Sequence, residues 1–498
     1  MSVFVGVGEE RKRGKRKRGK RKREKTVQTH SRPPPPSPVP YISHHHSAKA
    51  IEALLPISDS AALLAGTQDN GVNRTESGHL SGEGPRLDVF PLSFNQESLL
   101  FMSSLDDQGT SNLAYNIAFA AQIATLSSAN VNVERLIQAM NMVMAKHDSL
   151  RTVFETRVEE QKGGEERAST NNAQCVVKPY AFALKDSHVD GSGWSEKELR
   201  AFFAEQVGTA FDLEHGPIIR LNIITGVEGF KTVLFMVVHH IAVDLWSFEV
   251  MMRDLGEAWS LLATTNSSTT TATIMLPQAS WHYCSFVEDQ RAFVPGVRGE
   301  SQWSYWRQQL KDPLPVLTLP LDRPRIANQS YAGSSYEFDV PEAIGNRLRA
   351  LAQRSGVTLF TLMLAAFNVL LHKYSDSQED VIVGTPMACR NGMDAEKSVG
   401  YFVNPVPLRV NLSGNPSFDA LVQRVNKTVV EAFDNQEFPF SELIRRLELK
   451  GQDRSRSPLF DVMFILQKAH SGETGGLEMF FLGKDKCGVD LGGEGDDG

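Results

Sequence analysis

His239-His240-Ile241-Ala242-Val243-Asp244-Leu245-Trp246-Ser247 is the stretch from which the rest of the chain can be read. Before it, residues 232–238 form an unbroken run of β-prone apolar residues, the pattern of a buried strand. After it, residues 247–262 repeat apolar side chains at helical spacing, with Ser247 placed as a cap. A segment between a strand end and a helix start can turn side chains into a cleft while the scaffold holds them still. Strand alternation sends His239 and His240 to opposite faces, so only one of them enters a given site. That argues against a metal held by both, and His240 with Asp244 is too few ligands for a closed zinc site. A single imidazole suits proton chemistry, its unperturbed pKa being near ~6.5. Two hydrogen-bonded core histidines fit the segment equally well, and the segment alone leaves both readings open.

Outward from this segment, residues 133–146 are helical by period, with Leu136, Ile137, Met140, Val143 and Met144 in one stripe. Residues 159–174 are polar and rich in Gly and Glu, as at a hairpin tip. Residues 264–273 are almost all Thr and Ser and make the best internal linker. Beyond it the pattern begins again. Residues 281–310 are helix-rich, 358–374 a strongly apolar helix, 381–385 a short buried strand and 418–433 another helix. Periodicity therefore predicts two mixed α/β halves, one on each side of about residue 268.

The chain has 498 residues, 41% hydrophobic and 22% charged, which supplies large cores and argues against a wholly disordered, collagen-like or membrane-spanning protein. Twelve of its 52 Lys and Arg lie in residues 11–25 against one Glu, leaving 40 basic and 58 acidic residues elsewhere. An acidic body disfavours nucleic-acid binding. Residues 1–84 hold that basic run, Pro33 to Pro36 and His44 to His46, and read as a disordered tail. The basic run is open to four readings: a nuclear-import signal, a polyanion-binding arm, a solvated tail or a gene-model artefact. Cys175, Cys284, Cys389 and Cys487 are far apart and form no C-x-x-C pair, which fits a reducing, cytoplasmic setting.

The histidine segment resembles the HHxxxDG motif of the condensation domains of nonribosomal peptide synthetases, and other matches follow in that family's order. Pro91-Leu-Ser-Phe-Asn-Gln96, continuing to Tyr115-Asn116, resembles the opening motif. Lys146-His-Asp-Ser-Leu-Arg-Thr-Val-Phe154 resembles RHExLRTxF, and Phe211-Asp-Leu-Glu-His-Gly-Pro217 and Leu321-Asp-Arg-Pro-Arg325 are typical of the family. Val399-Gly-Tyr-Phe-Val-Asn404 resembles GxFVN; Asn435-Gln-Glu-Phe-Pro-Phe440 and Arg456-Ser-Pro-Leu-Phe460 resemble the last two motifs. The Asp-Leu-Trp-Ser and Phe-Val-Asn-Pro variants resemble condensation domains joined to polyketide synthases. Two departures stand out. Leu245 replaces the usual Gly, which puts a turn with positive φ in question, and residues 283–290 match the family's Asp/Trp-bearing motif only loosely.

The resemblance implies an α/β fold of two chloramphenicol-acetyltransferase-like lobes, a V-shaped pseudo-dimer with a central tunnel. Residues 85–268 would be the N-terminal lobe and 269–498 the C-terminal lobe. It implies amide formation between a carrier-bound thioester donor and the α-amine of a carrier-bound acceptor. No cofactor is bound on this reading; the substrates ride on phosphopantetheine arms of upstream and downstream carrier proteins, with adenylation or polyketide synthase modules as partners and a monomeric chain. His240 is the candidate to take the ammonium proton, or to orient the amine and steady the intermediate. Asp244 is expected to pair with Arg390 and hold the loop, His239 to pack in the core and Arg151 to hold the fold. Asn404 and Trp246 are the candidates for substrate contact; no metal is expected. Epimerisation and heterocyclisation fit the motifs less well. A stand-alone acyltransferase using a coenzyme A thioester and a noncatalytic docking or gating remnant are the alternatives. Residues 459–466 read as a buried strand, and the polar sequence from Lys468 onward leads to the expectation of a truncated second lobe in a fragment of a larger synthetase.

Overall fold

Val233 to His239 have no exposed surface, as an apolar run with no polar alternation requires, and they lie inside a six-stranded sheet. The computed structural model describes residues 86–104, 113–125, 131–159, 169–177, 184, 187–264, 275–277, 281–325, 336, 338–449, 455–466, 473–474 and 477–481. The basic and proline-rich tail, the Thr/Ser linker after Thr264 and the polar C-terminal residues after Phe481 lie outside them.

The first half runs β1 (Arg86–Pro91), α1 (Phe94–Ser104), β2 (Asn116–Thr125), α2 (Val133–Lys146), β3 (Thr152–Glu159), β4 (Ser169–Val177), β5 (His188–Asp190), α3 (Glu196–Val207), β6 (Ile219–Thr225), β7 (Thr232–His239) and α4 (Leu245–Thr264). Helix α2 keeps its predicted bounds, because the apolar stripe and a true cap agree: Asn132 accepts the Arg135 N–H. Leu136, Met140, Val143 and Met144 of the stripe are buried, while Ile137 stays half-buried. Strand β7 lies between β2 and β6, antiparallel to both, and Phe203 of α3 stacks on Phe235 at 4.1 Å. Fully burying side chains of this size stabilises by about 1.5–3 kcal/mol each. Strands β1, β4 and β3 form a separate three-stranded sheet. There the polar residues 169–174, expected in a loop, form most of β4. Backbone pairing from Glu159↔Ser169 to Thr152↔Val176 overrides their weak strand propensity.

The second half holds α5 (Tyr283–Phe293), α6 (Val297–Gln309), α7 (Glu342–Arg354), α8 (Leu359–Tyr374), β8 (Asp380–Met387), α9 (Met393–Glu396), β9 (Asn404–Asn411), α10 (Phe418–Asp434) and α11 (Phe440–Leu447). The helix-rich stretch 281–310 is two helices, broken at Val294-Pro295-Gly296, where proline cannot continue the hydrogen-bond ladder. Strands β8 and β9 pair antiparallel, and the buried faces of α8 and α10 share their core. Residues 460–466 lie along the other side of β8, with Gly384 N–H to Val462 O and Phe464 N–H to Gly384 O at 2.9 Å each.

The two cores do not divide cleanly at residue 268. Leu276, Tyr283, Val287, Val399, Tyr401 and Phe402 belong to the first core, while Phe94 of α1 packs against the second. Late in the chain, β10 (Glu473–Thr474) and β11 (Leu477–Phe481) return to the first sheet, where β11 pairs antiparallel with β2. No single helix among the described residues is long and apolar enough to cross a membrane.

A methyl group on Gly384 would lie 2.4 Å from the Phe460 ring, so only glycine lets residues 460–466 approach β8. Gly384→Ala is expected to lose about 1–3 kcal/mol of stability in chemical denaturation. An unchanged midpoint would show that this segment does not press on β8.

Candidate active site

The segment after β7 is wound into a hydrogen-bonded turn. The Ala242 N–H reaches His239 O at 3.1 Å and the Val243 N–H reaches His240 O at 3.3 Å, while the His240 N–H is held by Tyr115 O at 2.8 Å. Gln96, buried on α1, donates to Ile241 O at 3.2 Å. Helix α4 then begins at Leu245, two residues before the expected start. Asp244, not Ser247, is its cap: Asp244 Oδ1 accepts the Ser247 N–H at 2.9 Å, and Ser247 Oγ accepts the Asp244 N–H at 3.3 Å. Leu245 is the first helical residue and is absent from the positive-φ positions, so the missing glycine costs no backbone strain.

The two histidines meet different surroundings, His239 as the last residue of β7 and His240 as the first of the turn. His239 is fully buried near the rings of Tyr115 and Phe211, at 6.2 and 6.3 Å. Its Nδ1 accepts the Ile241 N–H at 3.2 Å, which puts its proton on Nε2, an atom with no partner among the described residues. Burial, with a smaller push from His240, lowers its pKa to about 3, so the ring is neutral. His240 keeps part of its surface open. Its Nδ1–H donates to Val243 O at 2.7 Å, which fixes the tautomer and leaves the Nε2 lone pair unprotonated. Dense surroundings lower its pKa, against the opposing pull of the Val243 carbonyl and Asp244. The Tyr401 ring stands edge-on to the imidazole, 4.9 Å between centroids.

Beneath this loop Asp244 and Arg390 form a buried ion pair, Arg390 Nη2 to Asp244 Oδ1 at 2.7 Å. Arg390 Nη1 also donates to Ala395 O and Ser398 O at 2.5 and 2.6 Å, and its guanidinium carbon lies 4.1 Å from the centre of the Phe402 ring. Burial draws the Arg390 pKa down and Asp244 draws it back up; a guanidinium stays charged throughout. Asp244 Oδ2 accepts the Phe402 N–H at 3.3 Å. The Gly400 N–H reaches Ser247 Oγ at 3.1 Å. A Cβ on Gly400 would lie 2.2 Å from the Tyr283 ring, so that close approach needs glycine. The Tyr283 hydroxyl lies 3.0 Å from Ser93 Oγ and donates to Tyr401 O at 2.9 Å.

The remaining expected residues, Arg151, Asn404 and Trp246, are each bonded within the protein. Arg151 is buried, pairs with Asp148 and donates to Val177 O, the bonding of a fold-holding residue. Asn404 does not offer a polar group to a substrate. Its Nδ2 donates to Gln436 O and Phe438 O at 2.8 Å each, and its Oδ1 takes the Phe440 N–H at 2.9 Å and Asn95 Nδ2 at 3.2 Å. Its hydrogen-bonding capacity is used inside the protein, where it ties α1 to the second half. Trp246 is partly exposed, but its Nε1–H is committed to Glu396 O at 3.1 Å. Tyr401, Tyr283 and Gln96 were not singled out from sequence, although Gln96 and Tyr401 stand inside the quoted motifs. Among the described residues no group of three or more His, Cys, Asp or Glu is placed to hold a metal ion.

A family model described as "Condensation domain" matches residues 86–480. One of the linear gramicidin synthase proteins of Brevibacillus parabrevis is 33% identical over 387 residues, covering 77% of this chain and 5% of that protein. Malpinin synthetase of Mortierella alpina is 31% identical over 403 residues, covering 80% of this chain and 5% of its own length. The chain thus spans a small part of the curated relatives it matches. Among solved structures, the first condensation domain of the CDA synthetase superposes with a TM-score of 0.60 at 18% identity, covering 79% of this chain and 86% of that one. At that identity the likeness shows the fold alone.

Removing one member of the Asp244–Arg390 pair strands the other in a dry site. Arg390→Ala is expected to cost about 3–5 kcal/mol. Asp244→Asn should also destabilise, and the double variant should lose clearly less than the two single losses together. Denaturation of all four proteins measures the coupling, and additive losses would refute the pairing.

Proposed function

The chain belongs to the condensation-domain family, and from that membership we propose that it forms an amide between two carrier-bound substrates in nonribosomal peptide or hybrid polyketide biosynthesis. The acceptor α-amine attacks the donor thioester; a C–N bond forms, the C–S bond breaks, the thiol leaves on the donor carrier and the amine gives up a proton. A thioester is already activated, and an α-amine near neutral pH is partly deprotonated, so much of the acceleration can come from holding the reactants together. The substrates arrive on phosphopantetheine arms of partner carrier proteins, upstream and downstream.

The observation that carries this reading is the state of His240. Its Nδ1–H is tied to Val243 O, so Nε2 is a lone pair held on a rigid turn with part of the ring open. That nitrogen can accept the ammonium proton, or hold the amine by its N–H and steady the intermediate. Asp244 contributes through position, because its carboxylate caps α4 and binds Arg390. The Asp-Leu-Trp-Ser and Phe-Val-Asn-Pro variants support placement beside polyketide synthase modules.

The test is amide product from two loaded carriers, with coenzyme A thioesters as donors in parallel. Carrier-dependent product supports the proposal; product from coenzyme A thioesters alone, or from neither, overturns it. His240→Ala should lower turnover by about 10²–10⁴-fold with an unchanged melting temperature, and wild-type turnover in that variant would remove His240 from the chemistry. His239→Ala should chiefly lower the melting temperature. Because burial lowers the His240 pKa, its neutral form persists as pH falls through the ordinary imidazole range. The acid limb it contributes to the rate should therefore lie below ~6.5 and vanish in the His240→Ala background.

A further inference from the structure

Tyr401 packs edge-on against the His240 imidazole, 4.9 Å between centroids at an interplanar angle of 67°. Its main chain is held at three successive residues. Gly400 N–H binds Ser247 Oγ, Tyr401 O accepts the Tyr283 hydroxyl, and Phe402 N–H binds Asp244 Oδ2. The Asp244–Ser247 unit that anchors the His240 loop therefore also anchors the ring beside it. Tyr401 is 9% exposed as a residue, and among the described residues its hydroxyl makes no hydrogen bond. Burial raises its pKa, with smaller contributions from Tyr115 and Asp244, so it stays a neutral phenol. Asp244 and the Val243 carbonyl act on the His240 charge, His239 lies beside it, the Tyr401 ring faces it, the Tyr115 carbonyl holds its N–H, and Arg390 is paired with Asp244.

We infer that Tyr401 is a positioning residue for His240: its ring walls off one side of the imidazole from water and keeps it in the orientation set by the Val243 carbonyl. An edge-on ring excludes solvent without offering a hydrogen bond that would compete for Nε2. The catalytic half of this inference rests on the amide-forming reading of His240; the effect on the imidazole itself does not.

The test therefore reads the imidazole directly. Histidine-labelled protein is titrated by NMR without substrate, as wild type and as Tyr401→Phe, Tyr401→Leu and Tyr401→Ala, with the His240 signal assigned from His240→Gln. Carrier-dependent turnover is followed against pH in parallel. Loss of the ring admits water, so the Leu and Ala variants should titrate His240 upward, toward the ordinary imidazole range, and carry the acid limb of turnover the same way. Their turnover should fall on the order of ten- to a hundredfold, as for a misplaced catalytic group. Tyr401→Phe keeps the ring and should restore both titration and turnover to within about twofold, the scale of a near-isosteric replacement. A His240 titration unmoved by Leu and Ala, or a Phe variant that behaves like Ala, would overturn the inference even where the wild type forms amide. An upward titration in a protein that forms no amide would instead sustain the role of the ring and refute the proposed reaction.

Discussion

The Asp244–Arg390 pair is the interaction on which the rest of the site depends. Its partners stand 146 residues apart, one at the end of the loop after β7 and the other just beyond β8. A buried ion pair is a poor source of net stability, because two charges must leave water to form it. What it provides here is position. One carboxylate caps α4, receives the guanidinium and accepts the Phe402 N–H. The start of a helix, the loop bearing His240 and the stretch leading into β9 are thereby referred to the same two oxygens. Arg390 adds two backbone carbonyls from the α9 region and the face of Phe402.

Two adjacent histidines show how far surroundings alone can separate chemically identical groups. His239 is sealed in the first core, its pKa lowered to about 3 by burial. His240, one residue on, has turned to the other side, where part of its ring is open and Nδ1 is committed to a carbonyl. The first is a shape that fills space between β7 and its neighbours; the second is a base with one nitrogen left over. The difference arises from the backbone, which ends the strand at His239 and turns at His240, not from the side chain.

The two halves of the chain share more than this ion pair. Asn404 spends all of its polar capacity joining α1 to the segments around Gln436 and Phe440, and Trp246 reaches Glu396 from the first turn of α4. Aromatic residues from the second half, Tyr401 and Phe402 among them, complete the first core, and β11 pairs with β2. A site lined from both halves needs both held in register, and these contacts are distributed around it.

The sequence by itself determined the local pieces. The bounds of α2, the burial of β7 and the placing of His240 at a strand end follow from period and composition, which act over a few residues and leave marks there. The motif order supplied the family and the expectation that Asp244 meets Arg390. Tertiary structure decided the rest. Asp244 takes the cap that Ser247 was expected to fill, because Ser247 Oγ is drawn into bonds with Gly400 and Arg390. The polar strand β4 exists because β1 and β3 pair with it on both sides. Asn404, a candidate for substrate contact by its motif, has its polar groups bonded inside the protein, while Tyr401, which no local pattern marks, stands against the imidazole. Each of these outcomes depends on atoms tens to hundreds of residues away or on a neighbouring strand. No local pattern encodes such a partner, because its distance is set only when the two cores pack.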